Sequence, residues 1–148
     1  MKRVYLATPI TSVSEEDRQL IVKWCEWYIQ NELADSDVFC PAIEYERRWA
    51  NGPVQTEDDL IAIRDRSWAK LDGSDELHVL HPDLSTNAAI EFGYAMGRSL
   101  DRVVVIAFEE RLKDSLKNYR LRILMHQPEV EFIAHSMNGL GLDVVDAQ

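Results

Sequence analysis

Apolar residues along the chain form short runs that alternate with longer segments of helical periodicity. The run at 103–106, Val-Val-Val-Ile, is continuous and β-branched, which is typical of a strand buried on both faces of a parallel sheet. Two runs of this kind elsewhere and two weaker ones predict four further strands. The predicted strands are residues 3–7, 37–40, 77–80, 102–108 and 130–133.

Three segments between these strands repeat apolar residues at the spacing of an amphipathic helix, and they cover residues 14–34, 56–71 and 86–100. Ser14 is the predicted N-cap of the first helix, and the acidic residues after Thr56 suit the first turn of the second. Ala89, Gly93 and Gly97 form a stripe of small residues, which predicts close packing of the third helix against the sheet or another helix.

Alternating strands and helices predict an α/β fold with a mostly parallel sheet. We expect a Rossmann- or flavodoxin-like three-layer sandwich of about five strands, with residues 1–148 forming a single domain. Residues 41–55 are harder to assign, because they crowd aromatic residues and both charge signs into a loop or short helix. Such a segment either overhangs a site or forms a solvated helix with its own ion pairs.

The net charge of −10 argues against general binding to DNA or RNA, because these polyanions require a basic surface. No apolar run approaches the length of a membrane span, and the apolar start is too short for a signal peptide. Cys25 and Cys40 form no CxxC motif and indicate no disulfide framework. We therefore expect a cytoplasmic protein with a small-molecule partner, no membrane partner and no nucleic acid polymer.

The ends of two predicted strands indicate where a ligand binds. With the strand order 2-1-3-4-5, the order reverses between the first and third strands, and ligands bind beyond the carboxyl ends there. The loops at that point, residues 8–12 and 81–87, are rich in hydroxyls and lead into helix starts that attract anions. No GxGxxG or Walker motif is present, so a monophosphate is expected, without a cofactor or metal. The candidate binding residues are Thr8, Pro9, Ile10, Thr11, Ser85 and Asn87.

Glu91 lies near the start of the third predicted helix among small and apolar neighbours. A capping box requires Ser or Thr three residues before the Glu, and position 88 is Ala. A role as helix cap is therefore excluded, which favours a role as nucleophile. The helix dipole is expected to favour the ionised form that a carboxylate nucleophile requires at neutral pH.

A second carboxylate, Asp65, lies on the preceding predicted helix. Paired carboxylates cleave glycosidic bonds, one as the nucleophile and the other as the proton donor. The alternative is an ion pair of Asp65 with Arg64 or Arg66 on a solvated helix face. Both interpretations stay open from the residues alone.

Residues 85–95, Ser-Thr-Asn-Ala-Ala-Ile-Glu-Phe-Gly-Tyr-Ala, resemble the nucleophile segment of the nucleoside 2-deoxyribosyltransferase-like superfamily. The resemblance gives the nucleophile role to Glu91. Tyr5 matches the aromatic residue that lines the sugar site, and Asp65 with Trp68 matches the Asp-x-x-Trp motif whose acid faces the base. The resemblance covers most of residues 3–108.

Within this superfamily the chain is most similar to the nucleoside 5′-monophosphate N-glycosidases. Transferases that act on free nucleosides usually carry Asp six residues before the nucleophile, whereas the nucleotide hydrolases carry Ser, as this chain does at Ser85. A hydroxyl can donate to a phosphate that an acid would repel. The first loop lacks the Arg that some members place beside the phosphate, which shifts that role to Arg47 or Arg48.

The resemblance implies hydrolysis of a (deoxy)nucleoside 5′-monophosphate through a glycosyl-enzyme on Glu91, by a homodimer or higher homo-oligomer. Near the C-terminus, a short segment resembles one that family members insert into a neighbouring subunit's site, with a plain helix start as the alternative. That segment is Ser136, Met137 and Asn138.

Three other interpretations are retained. One is a nucleoside 2-deoxyribosyltransferase that exchanges bases on free deoxynucleosides. Another is a non-catalytic nucleotide-sensing module, since TIR-like domains share this architecture. The third and weakest is a metal site at His78, His81 and Asp83, which would need further ligands from elsewhere in the chain.

Overall fold

The computed structural model describes residues 1–9, 15–48, 56–80, 86–98, 100–108 and 128–135, without the side chains of 46–48 and 86–89. Its elements in chain order are β1 (Lys2–Ala7), α1 (Glu15–Glu32), β2 (Ser36–Phe39), α2 (Pro41–Arg48), α3 (Glu57–Asp72), β3 (Glu76–Leu80), α4 (Thr86–Arg98), β4 (Arg102–Phe108) and β5 (Val130–His135).

The five strands form one sheet in the order β2-β1-β3-β4-β5, and every neighbouring pair is parallel. Tyr5 is in register with Leu77, which in turn is in register with Val103. This arrangement confirms the predicted α/β class, and its strand order is the one on which the expected ligand crevice depends. The order reverses between β1 and β3, so their carboxyl ends flank the crevice where ligands bind in such sheets.

Side chains alternate between the two faces of the sheet, because successive residues of a strand point in opposite directions. In β1, Val4 and Leu6 pack with α1, whereas Tyr5 and Ala7 pack on the opposite face. That opposite face is covered by α3 and α4, which contribute the buried Leu71 and Ala95 to it. The result is the predicted three-layer sandwich.

The helix boundaries follow the sequence signals closely. Thr56 is the N-cap of α3, and its Oγ1 accepts a hydrogen bond of 3.2 Å from the backbone N–H of Asp59. The uncertain segment after β2 begins with α2, so a short helix is correct for its first eight residues. Ser14, the predicted cap of α1, lies outside the described residues.

The packing predicted for the glycine stripe is not found among the residues that the structure describes. Gly93 and Gly97 are exposed, and a Cβ added to either would meet no described atom within 4 Å. Ala95 is buried on the sheet side instead, with Phe92 and Met96 against the same core. At 100° per residue, these residues and the glycines occupy different sides of α4. Small size alone does not tell which side faces the sheet.

The α1 face holds a buried polar cluster. The ring of His78 hydrogen-bonds at Nε2 to Glu76 (3.0 Å) and at Nδ1 to the Tyr28 hydroxyl (2.7 Å). Burial raises the pKa of Glu76, but hydrogen bonds from Lys2 and His78 outweigh it, so the net shift is downward and Glu76 is a carboxylate. Burial lowers the pKa of His78, so the ring is neutral, donates to Glu76 and accepts from Tyr28.

Replacing Tyr28 with phenylalanine is therefore expected to lower the free energy of unfolding by about 1–2 kcal/mol, because a buried acceptor nitrogen loses its donor. The measurement is urea unfolding at pH 7. Tyr94→Phe is the matched control, since the Tyr94 hydroxyl donates to Asp72 at the surface (2.7 Å) and its loss should cost less than about 0.5 kcal/mol. Equal losses in the two variants would contradict the structural role of the buried cluster.

Cys25 and Cys40 are both free thiols buried in the α1-side core. In the part of the chain that the structure describes, no helix is long and apolar enough to cross a membrane.

Candidate active site

Glu91 and Tyr5 meet on the sheet face that α3 and α4 cover. The Tyr5 hydroxyl donates a hydrogen bond of 3.2 Å to Oε1 of Glu91, although the two residues are 86 positions apart in sequence. Tyr5 is fully buried, and burial together with the Glu91 charge raises the pKa of its hydroxyl. The hydroxyl therefore keeps its proton and acts as a donor throughout the neutral range.

Burial raises the pKa of Glu91 to about 7, and the hydrogen bond from Tyr5 opposes part of this shift. The prediction that the helix dipole favours the ionised form is therefore wrong in its net direction. Glu91 is the sixth residue of α4, in the second turn, whereas the dipole acts within the first turn. Desolvation decides the balance instead, because it disfavours a charge among apolar neighbours.

Two further hydroxyls join this cluster, and the sequence analysis did not single them out as site residues. The hydroxyls of Tyr45 in α2 and Ser67 in α3 lie 3.0 Å apart and hydrogen-bond. Ser67 is buried, and its hydroxyl lies near enough to the oxygen of Tyr5 to counter part of the rise in the Tyr5 pKa. Burial raises the pKa of Tyr45, and the charge of Glu91 adds to this rise. Side chains from β1, α2, α3 and α4 thus converge at Glu91.

A periodicity signal for Ser67 does exist in the sequence. Ser67 lies four residues before Leu71, and these are the two buried residues of α3. A small polar residue on the apolar side of an amphipathic helix is a hint that it has a buried partner. Nothing local identifies Tyr45 as that partner, because the two residues are 22 positions apart.

Asp65 lies on a different side of α3. It precedes Ser67 by two residues, which is about 200° around the helix at 100° per residue, and therefore points away from the cluster. Its side chain is 64% exposed and forms a 3.0 Å ion pair with Arg64. This is one of the two surface pairs considered as the alternative for Asp65. In the part of the chain described, no contact brings Asp65 to Glu91.

The phosphate-binding prediction falls partly within the described residues. Thr8 and Pro9 are buried directly after β1, at its carboxyl end. Oγ1 of Thr8 lies beside the thiol of Cys25 and makes no hydrogen bond of standard geometry to a described residue. Cys25 belongs to the α1-side core, so the Thr8 hydroxyl lies on the α1 side of the sheet and not in the cluster around Glu91.

The remaining predicted binding residues cannot be placed at the site. Asn87 lies in the first turn of α4, and its side chain is not described; the same holds for Arg47 and Arg48 at the end of α2. The residues outside the described ranges are Ile10, Thr11, Ser85, Ser136, Met137 and Asn138.

The metal interpretation loses one of its three proposed ligands. His78 faces α1, on the side of the sheet opposite Glu91, and both of its ring nitrogens already hydrogen-bond. His81 and Asp83 lie outside the described residues. Within the described ranges, no three His, Cys, Asp or Glu residues come together in a way that could hold a metal ion.

The cluster provides a carboxyl group that is both acidic and nucleophilic near neutral pH. With a pKa of about 7, Glu91 is ionised in roughly half of the molecules at pH 7. The carboxylate in those molecules has little water around it. A poorly hydrated carboxylate held by one hydroxyl donor can attack an electrophilic carbon. In the other molecules the neutral carboxyl group of Glu91 can donate a proton, so the protonation state of Glu91 decides whether it acts as a nucleophile or as an acid.

The chain matches no protein-family model, and no curated protein matches it.

Proposed function

We propose that this chain hydrolyses the N-glycosidic bond of a (deoxy)nucleoside 5′-monophosphate and releases the free base and (deoxy)ribose 5-phosphate. The observation that carries the proposal is the hydrogen bond from Tyr5 to the partly buried Glu91, beside the strand-order reversal of the sheet. A poorly hydrated carboxylate with a fixed donor suits a displacement at the anomeric carbon. The resemblance around residues 85–95 supports the same assignment.

In the proposed mechanism, ionised Glu91 attacks the anomeric carbon and forms a glycosyl ester. The bond from that carbon to the base nitrogen breaks, and the base leaves with the electron pair and takes up a proton. Water then attacks the same carbon, loses a proton, and displaces Glu91 as a carboxylate. Two displacements return the original configuration, so the sugar phosphate is released with retention.

The phosphate is proposed to bind beyond the carboxyl end of β1, where the chain continues with Thr8 and Pro9. Ser85 and the following helix start are the proposed second contact, since hydroxyl and N–H donors bind an anion. These contacts explain how a chain with net charge −10 could accept a monophosphate, because only a few local donors are needed.

The direct test measures the release of free base from a panel of ribo- and deoxyribonucleosides and their 5′-monophosphates. The released base is detected by chromatography. Each reaction is run with and without a second acceptor base. Release from monophosphates alone is the expected result. Exchange of bases on free nucleosides would replace the proposal with a deoxyribosyltransferase, and tight binding without release would favour the nucleotide-sensing module.

The role predicted for Asp65 as proton donor to the base stays a prediction, and Asp65→Asn tests it. The free energy of unfolding should change by less than about 0.5 kcal/mol, because an exposed ion pair contributes little. If Asp65 donates a proton to the leaving base, Asp65→Asn should instead lower the rate of base release about a hundredfold. Arg64→Gln is the matched control, since it breaks the same ion pair and leaves the acid. Unchanged release in Asp65→Asn would remove Asp65 from the mechanism.

A further inference from the structure

We propose that Glu44 and Tyr45 are positioning residues that clasp the second half of α2, residues 44–48, onto α3, and that this clasp limits the access of water to Glu91. In this proposal neither residue touches the reacting atoms, and both act through the wall that α2 forms beside Glu91. The inference rests on Glu91 being the nucleophile of the proposed function, and its main test does not require turnover.

The clasp consists of two polar contacts between the helices. Nε of Arg66 in α3 donates a hydrogen bond of 2.9 Å to Oε1 of Glu44 in α2, and the two side chains form an ion pair. The hydroxyls of Tyr45 and Ser67 lie 3.0 Å apart and form the second contact. Because consecutive residues of α2 contact consecutive residues of α3, the two contacts together fix the distance between the helices at this point.

The first half of α2 is held in a different way. Cys40, which precedes α2, and Ala42 are buried in the α1-side core, and Ile43 packs against the same core. The backbone N–H of Glu44 donates to the carbonyl of Cys40 at 3.0 Å, so the helix is continuous from this anchor to the clasp. Apolar burial should therefore keep the first half of α2 in place when the clasp is removed, and the second half should move first.

The position of the clasp connects it with the candidate active site. Tyr5, which donates to Glu91, packs its ring against Phe39 with the ring centres 5.5 Å apart, and α2 begins two residues after Phe39. The guanidinium of Arg66 lies 5.4 Å from the centre of the Phe39 ring. Tyr45 is half-buried, and the charge of Glu91 adds to the rise in the pKa of its hydroxyl, so the two side chains are close. Therefore α2 is the wall of the Glu91 cluster on the β2 side of β1.

The clasp acts on Glu91 through hydration. Burial is the largest cause of the raised pKa of Glu91, and Tyr5 is the titratable group that hydrogen-bonds to it from the described residues. On the α2 side the titratable and charged groups are Tyr45 and, beyond it, the paired Glu44 and Arg66. When the second half of α2 moves away, water reaches the carboxylate and favours its ionised form. The nucleophile then becomes less reactive, because its charge is solvated.

The test combines the NMR titration of the Glu91 carboxyl carbon in the free protein, assigned with Glu91→Gln, and amide hydrogen exchange of residues 44–48. Tyr45→Phe is expected to raise both the ionisation constant of Glu91 and the exchange rate of these amides about fivefold, the factor that corresponds to the loss of one hydrogen bond. Glu44→Gln removes a partly exposed ion pair and is expected to raise both about twofold. If the wild type releases base, the acidic limb of its pH profile should move to lower pH in Tyr45→Phe by the same factor.

Ser67→Ala removes the hydrogen bond of the clasp from the side of α3. The double variant Tyr45→Phe/Ser67→Ala should therefore match Tyr45→Phe in the hydrogen exchange of residues 44–48, because both substitutions break one contact. Additive increases in exchange would show that the two hydroxyls act separately, which would contradict the clasp.

Tyr94→Phe and Glu15→Gln are matched controls outside the clasp. The first removes a tyrosine hydroxyl that hydrogen-bonds from α4 to α3 at 2.7 Å, and the second removes a carboxylate from an ion pair within α1. Neither should change the titration of Glu91 or the exchange of residues 44–48.

A titration of Glu91 that is unchanged in both Tyr45→Phe and Glu44→Gln would overturn the proposal, even if both variants unfold more easily. A lower ionisation constant in Tyr45→Phe would also overturn it, because the hydroxyl would then stabilise the charge rather than limit hydration. Either result would leave the proposed function standing if the wild-type protein releases base. Conversely, shifts of the expected size in a protein that releases no base would support the clasp and refute the proposed function.

Discussion

Replacing Glu91 with glutamine is expected to reduce base release from a nucleoside 5′-monophosphate by about a thousandfold or more, because the nucleophile of the proposed displacement is lost. The substitution is nearly isosteric, and the glutamine oxygen can still accept the hydrogen bond from Tyr5. The geometry of the cluster is therefore retained, and the loss reports chemistry rather than misfolding.

Glu91→Gln is compared with Glu91→Ala, which also removes the acceptor for Tyr5, and with Glu15→Gln, which removes a carboxylate from the first turn of α1. Release is measured at saturating substrate, and binding of the monophosphate is measured separately. We expect Glu91→Gln to bind without turnover and Glu15→Gln to match the wild type. Wild-type turnover in Glu91→Gln would contradict the proposed mechanism.

The second large effect concerns stability. The pKa of Glu91 is raised from 4.5 to about 7 in the folded protein, so between these values the folded state binds more protons than the unfolded chain. The contribution of Glu91 to the free energy of unfolding therefore falls as the pH rises through this window. Glutamine has no charge to bury, so the wild type should lose stability relative to Glu91→Gln as the pH rises.

At pH 4.5 the two proteins are expected to unfold at similar urea concentrations, because the carboxyl is then mostly neutral in the folded state. At pH 8 we expect Glu91→Gln to be more stable by about 2 kcal/mol, a value reduced from the full shift because the side chain is partly exposed. The difference between the two proteins isolates Glu91 from other titrating groups. A difference independent of pH would show that Glu91 has its ordinary pKa.

The sequence could predict the sheet because its signals are local. The β-branched run at 103–106 and the strands before it specify buried parallel strands within a few residues of each position. The alternation of strands and helices indicates a parallel sheet but does not fix the strand order, and in the structure β1 lies between β2 and β3. The same local reasoning places Glu91 on a helix after β3, because the helical spacing of apolar residues is visible within residues 86–100 themselves.

Properties that depend on distant residues could not be predicted this way. Ser67 rather than Asp65 faces the Glu91 cluster, and the choice depends on how α3 rotates against the sheet. The direction of the pKa shift of Glu91 also depends on burial, which local sequence does not reveal. Likewise, a stripe of small residues does not show which side of α4 faces the core.

By itself, then, the sequence determined the layered α/β class and the carboxylate in the first half of α4, because these follow from periodicity within a few turns of each position. Only the tertiary structure decided the partners of that carboxylate. A hydrogen bond between residues 5 and 91, and another between 45 and 67, exist because the sheet and three helices meet at one point. Desolvation at that point results from the packing of all four elements, so no single segment of the chain encodes it.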